Sequence, residues 1–129
     1  MPNNVTNHVG IFGRLEDLKR IKKWIDGGKE QRVDFKKIKP MPKSIRSLDW
    51  HSWSCKNWGT KWNAHEITVY QLKPDSRRLV LEFNTAWNPP TPIFKEIVRK
   101  FPAVSIDVAV SGDVDDPFSF RVEPDGAAV

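Results

Sequence analysis

Two stretches of helical period, each set between runs of alternating apolar residues, constrain this chain more than any other feature. Between residues 14 and 26 the apolar side chains Leu15, Leu18, Ile21, Trp24 and Ile25 recur at three- and four-residue steps, and Glu16, Asp17, Lys19, Arg20, Lys22 and Lys23 fill the other side. Gly27-Gly28 stops this amphipathic helix. A second stripe of Ile93, Phe94, Ile97, Val98 and Phe101 follows Thr91, which suits an N-cap, and Pro92, which suits a first helical position; Pro102 ends it. Before the first helix, Val5, Asn7, Val9 and Ile11 share one face of a strand. Residues 66–72 and 78–85 flank the turn Lys73-Pro74-Asp75-Ser76 as an antiparallel pair. Residues 104–110 alternate cleanly, and residues 118–122 form a last strand.

The order is strand, helix, long insertion, strand, strand, helix, strand, strand. Read as two βαβ-like halves, it predicts an α+β, ferredoxin-like split βαβ sandwich: an antiparallel sheet with two helices on one face and a long Trp-rich insertion after the first helix. At 129 residues there is room for one core, so residues 1–129 are expected to form a single domain, with the insertion at about 31–64.

Between residues 31 and 64 neither period persists, and Pro40-Met41-Pro42 forbids regular hydrogen bonding at two nearby positions. The segment still carries Phe35, Ile38, Met41, Leu48, Trp50, Trp53, Trp58 and Trp62. So many large apolar side chains predict an ordered segment packed over the sheet.

Cys55 is the one cysteine, which excludes an internal disulfide, a cysteine-rich zinc site, a CxxC redox pair and a four-thiolate iron–sulfur cluster. No cofactor or metal is expected. The first ten residues lack the basic start and apolar run of a signal peptide, and no stretch approaches the roughly 18 apolar residues of a membrane span. A cytoplasmic location and no membrane partner are therefore expected. The net charge of +5 is distributed unevenly: most lysines and arginines precede Trp62, while Asp113, Asp115, Asp116, Glu123 and Asp125 crowd the end. Such a dipolar chain can steer toward an anionic partner with one side.

Three local motifs carry a resemblance: Phe35-Lys36-Lys37-Ile38-Lys39-Pro40-Met41-Pro42, Asn57-Trp58-Gly59-Thr60-Lys61-Trp62 and Thr85-Ala86-Trp87-Asn88-Pro89-Pro90. With the opening Met1-Pro2-Asn3-Asn4, they make the chain similar to the YubB-like ferredoxin-like domain proteins, small proteins encoded largely by bacteriophages and conjugative plasmids. The opening departs from that family at Asn4 and Val5, where Trp and Cys are frequent. The resemblance implies an architecture and a mobile-element origin, and no activity to carry over.

The candidate sites follow from the residues. Trp58, Trp62 and Trp87 read as core, since large aromatics bury much area. Trp50 and Trp53, beside His51, Ser52 and Ser54, read equally as loop anchors or as an aromatic binding surface. Asn57, Gly59, Thr60 and Lys61 read as a tight turn whose glycine permits a positive φ. Lys19, Lys22 and Lys23 lie on one side of the first helix, and Lys36, Lys37, Lys39 and Lys43 follow close behind; folded together they would attract anions. The candidate binding residues are Trp50, His51, Trp53, Lys22, Lys23, Lys36, Lys37, Lys39 and Lys43. His8, His51 and His65 show no metal spacing, Cys55 lacks a nucleophile motif, and Glu82, Glu96 and Asp107 form no evident carboxylate pair.

The lack of a catalytic constellation in the sequence, together with the mobile-element origin that the resemblance implies, predicts a non-enzymatic binding protein that docks on a host complex. Its expected partner is a host protein or ribonucleoprotein complex, with weak nucleic-acid contact, and its expected effect is inhibition of a host defence system such as CRISPR-Cas. One alternative is a nucleic-acid-binding protein that uses the basic residues with exposed aromatics. Another is a binder of a small phosphorylated ligand.

Overall fold

The computed structural model describes residues 3–45, 49–114 and 116–123. Leu48 of the insertion, the opening Met1-Pro2, and Asp115 and Asp125 of the acidic end lie outside the described residues. The elements run β1 (Asn4–Phe12), α1 (Leu15–Trp24), α2 (Phe35–Ile38), α3 (Trp50–Asn57), β2 (His65–Lys73), β3 (Arg78–Ala86), α4 (Thr91–Lys100), β4 (Ser105–Gly112) and β5 (Phe118–Val122).

The strands form one antiparallel sheet in the order β2-β3-β1-β4-β5. Its first four members have the arrangement of a split βαβ sandwich, and β5 extends the sheet beyond β4. The alternation seen in the sequence becomes the core. Val5, Val9 and Ile11 of β1, Leu79, Leu81 and Phe83 of β3, and Ile106, Val108 and Val110 of β4 are buried. They belong to one cluster with Leu18 and Ile21 of α1 and Ile93, Phe94, Ile97 and Val98 of α4. Two periods, 2 for strands and 3.6 for helices, thus place both long helices on one face and leave the other face open.

Two expectations need correction. α4 begins at Thr91, and Thr91 is not its cap: the Pro90 carbonyl accepts from the N–H groups of Ile93 and Phe94, at 2.9 and 3.3 Å, so the chain enters the helix one residue earlier. The insertion, expected to lack regular elements, holds α2 and α3. α2 spans a single turn, too short to show a period, and is capped by the Asp34 carboxylate accepting from the Lys36 N–H. α3 places Trp50 and Trp53 among small polar residues, so no apolar stripe announces it.

Two amides hold the ends of the insertion together. Gln31 Nε2 donates to the carbonyls of Val33 and Ala64 at 2.8 and 2.6 Å. Asn63 Oδ1 accepts from the N–H groups of Phe35 and Ala64, both at 2.9 Å, and its Nδ2 donates to Asp34 at 2.8 Å. Backbone groups that a loop would leave unpaired are satisfied there by side chains.

Tyr70, the chain's one tyrosine, ties β2 to α1 through its hydroxyl, which donates to the Lys22 carbonyl. Burial, reinforced by the Asp26 carboxylate, pushes its pKa up from 10.0 to about 12. The folded state therefore holds this proton more tightly than the unfolded state. The corresponding stabilisation is complete below pH 10 and is lost as pH rises toward 12. Tyrosinate absorbance reports this residue alone and is expected to rise near pH 12; a midpoint near 10 in protein that is still folded would contradict the buried hydroxyl.

Candidate functional site

The insertion is packed around Trp58, and Phe35 joins it to the sheet, its ring 6.0 Å from that of Phe83 on β3. The Trp58 side chain is 3% exposed, its indole Nε1 donates to the Lys39 carbonyl at 2.9 Å, and it meets the rings of Phe35 and Trp53 edge-on at 5.8 and 5.4 Å. The aromatic quadrupole favours such edge contacts. Trp53 is thereby half-buried behind Trp58, an anchor of the insertion.

After Trp58 the chain reverses. Gly59 takes φ +79°, the conformation its position demands, and Thr60 Oγ1 donates to the Ala86 carbonyl at 2.7 Å, fastening the turn to the end of β3. The reversal sends Trp58 inward and Trp62 outward. Trp62 is 40% exposed and Trp87 is 53% exposed, contrary to the expectation that both are core. Trp87 stands at φ +70° where the chain leaves β3, held by its N–H donating to the Asn3 carbonyl at 2.8 Å, and its side chain remains outside.

Between these parts lies a cleft of about 770 Å³. Trp50, Trp58, Trp62, Met41 and Ala64 supply its apolar wall. Its charge comes from Lys36 and Lys61, and among the described residues no carboxylate lines it. The Lys61 ammonium lies 4.7 Å from the centre of the Trp62 ring. The polar groups Gln31 and Asn63 are engaged in holding the insertion, and His65 is held between the Asn63 carbonyl at 3.4 Å and Asn4 Oδ1 at 3.2 Å. The cleft therefore offers aromatic surface and positive charge, with its hydrogen-bonding side chains largely occupied by the fold.

Of the candidate binding residues, Trp50 and Lys36 line this cleft. His51 is exposed, with its ring 5.7 Å from that of Trp50. The remaining lysines have separate settings. Lys22 lies 4.6 Å over the Tyr70 ring, in a shallow hollow that Lys23 and Lys19 share. Lys39 is half-buried and helps, after Arg99, to hold the Glu96 carboxyl below the usual carboxylate range. Lys37 and Lys43 are exposed. Cys55 is exposed as well.

Residues 57–111 match the family model of the ferredoxin-like domain in Api92-like protein. The fold is ferredoxin-like. No curated protein and no solved structure matches the chain. The matched span of this ferredoxin-like domain runs from the end of α3 to β4 and includes the Gly59 turn, Trp62 and His65, so part of the cleft belongs to it.

Sequence reasoning missed Trp62 and Lys61 as surface residues; Lys61 beside Trp62, just past a glycine turn, was the available signal. It also missed the open face of the sheet, where His8 Nδ1 lies 2.5 Å from Glu82 Oε1 and the Arg121 guanidinium holds Asp107 at 2.6 and 3.3 Å. Those partners are far apart in sequence, and the strand register alone unites them. His8 and Glu82 are directly opposite on β1 and β3, as Asp107 and Arg121 are on β4 and β5.

Proposed function

We propose that this chain is a binding protein that docks a macromolecular partner in the tryptophan cleft, with an acidic segment carrying an aromatic or other apolar side chain as the element bound. The observation that carries this reading is a cleft walled by Trp50, Trp58 and Trp62, of which Trp62 is exposed, together with Lys36 and Lys61 and no lining carboxylate among the described residues. Tryptophan in a concave site supplies large contact area, and lysines at its edge steer an anionic segment into register. The similarity to YubB-like proteins supports a phage or plasmid origin and a host protein or ribonucleoprotein complex as the partner. Inhibition of a host defence system is the outcome proposed for such docking.

The test compares wild type with Trp62→Ala and with Lys61→Glu. Partners are captured from the natural host, and the rate constants for each purified partner are then measured. Loss of an anchoring aromatic is expected to speed dissociation and weaken affinity by about 2 kcal/mol, whereas charge reversal chiefly slows association. A partner held equally by all three proteins would place docking elsewhere. Random single- or double-stranded nucleic acid is expected to bind only weakly, at about 10⁻⁴ to 10⁻⁶ M in physiological salt. Nanomolar binding to nucleic acid alone would replace this reading with the nucleic-acid one.

A further inference from the structure

The open face of the sheet carries a second constellation, separate from the cleft. Glu82 on β3 stands directly opposite His8 on β1, and Ser111 on β4 pairs with Thr6, which places Ser111 diagonally from His8 on the same face. Cross-strand diagonals are within reach of a long side chain. The Glu82 carboxylate contacts His8 Nδ1 at 2.5 Å, His8 Nε2 lies 3.0 Å from Ser111 Oγ, and the other Glu82 oxygen accepts from Thr68 Oγ1 at 2.7 Å.

Polar ladders on an exposed sheet face are ordinary, and the order of atoms distinguishes this one. A carboxylate only accepts, so the contact at Nδ1 requires the proton there. In the neutral imidazole, Nε2 then presents its lone pair to the serine hydroxyl. Thr68 occupies the remaining carboxylate oxygen and fixes Glu82, which in turn orients the ring. A nucleophile within reach of a base, with the base oriented by a third group, is the signature of covalent acyl transfer.

We infer that Ser111, His8 and Glu82 form a nucleophile–base–carboxylate array that reacts with activated carboxylic esters. Ser111 Oγ attacks the acyl carbon while His8 Nε2 takes the hydroxyl proton. The bond to the leaving oxygen breaks, and the departing alcohol carries off that proton. Water then attacks the acyl-serine, again through His8, releasing the carboxylic acid and restoring the hydroxyl.

A hollow of about 680 Å³ is lined by His8 and Glu82 of the array together with Gly10, Phe12, Val80 and Ala109; Ser111 lies just outside its lining, two residues along β4 from Ala109. This size suits a small molecule. A Cβ on Gly10 would come within 3.1 Å of the Phe12 ring, so the absence of a side chain there keeps the floor low. The His8 and Glu82 side chains are 45% and 29% exposed, so water reaches the array and screens the charges that develop there. That restricts the reaction to esters with good leaving groups.

The experiment treats the full chain with an alkyl fluorophosphonate and maps the adduct by peptide mass spectrometry. In this reaction the Ser111 Oγ–P bond forms, fluoride leaves and His8 takes the proton. Labelling is expected at Ser111 in preference to Ser105 and Ser119 of the neighbouring strands. It should be abolished in Ser111→Ala and slowed roughly 100-fold or more in His8→Gln, the range of a lost general base. Circular dichroism and melting should show both variants folded, and Glu82→Gln should also slow labelling. No preference for Ser111 in the wild-type map overturns the inference whether or not the variants fold. Equal labelling rates in wild type and folded His8→Gln would overturn it as well.

Discussion

Trp58→Ala is expected to lower unfolding free energy by about 3–5 kcal/mol, the range for truncating a buried large aromatic, whereas Trp87→Ala is expected to change it by no more than about 0.5 kcal/mol, as for an exposed position. Trp58 loses the most because three interactions meet in one side chain: near-complete burial, edge contacts with Phe35 and Trp53, and the indole bond to the Lys39 carbonyl. Removing the ring leaves a void beside Phe35 and strands that carbonyl in a partly buried place. Against a total stability of roughly 5–15 kcal/mol, the variant would be marginal or unfolded at room temperature. Denaturant midpoints of the two variants measured side by side decide the matter. Similar, small losses would mean that the insertion is not anchored through Trp58.

Gly59→Ala should rank close behind, at about 2–4 kcal/mol, combining the cost of a left-handed backbone with a side chain overpacked against its neighbour. Gly59 sits at φ +79°, and a Cβ built there would lie 2.6 Å from Pro92 Cδ and 3.4 Å from the Pro89 carbonyl oxygen. Pro92 lies in the first turn of α4 and Pro89 just before it, and the helix start cannot yield without disturbing the core residues Ile93 and Phe94. Gly28→Ala is the control. Gly28 has φ +112°, yet nothing lies within 4 Å of a Cβ there, so only the backbone cost remains. Gly59→Ala should therefore melt well below Gly28→Ala; equal melting points would show that the Pro92 contact relaxes freely.

The sheet and the two long helices were legible because each has its own arithmetic. Alternation in β1 and β4 marked the buried face residue by residue, and the stripes of α1 and α4 marked theirs. Trp62 and Trp87 were misjudged because burial was inferred from residue type, while their exposure is decided by backbone: the reversal at Gly59 and the positive φ of Trp87 itself. The cleft was half legible. Lys36 and Trp50 were among the candidates, but Met41, Ala64 and His65 come together with them only when the ends of the insertion meet. The pairing of His8 with Glu82 was invisible for a related reason. It depends on which strands become neighbours and in what register, and periodicity within a strand carries no information about either.

The clamp formed by Gln31 and Asn63 bears on how such a protein can diversify. Because the two ends of the 31–64 segment are fastened to each other, with Gln31 Nε2 2.6 Å from the Ala64 carbonyl, the chain between them is a closed excursion from the sheet. Lengthening such an excursion is inexpensive, about 0.6 kcal/mol for each doubling of a flexible loop. Met41 and Trp50 lie on the excursion, whereas Asn4 and His65 belong to the strands that frame the cleft. One wall can thus be exchanged by insertion, deletion or recombination while the other stays fixed, and relatives with the same sheet could acquire different binding preferences without refolding the domain.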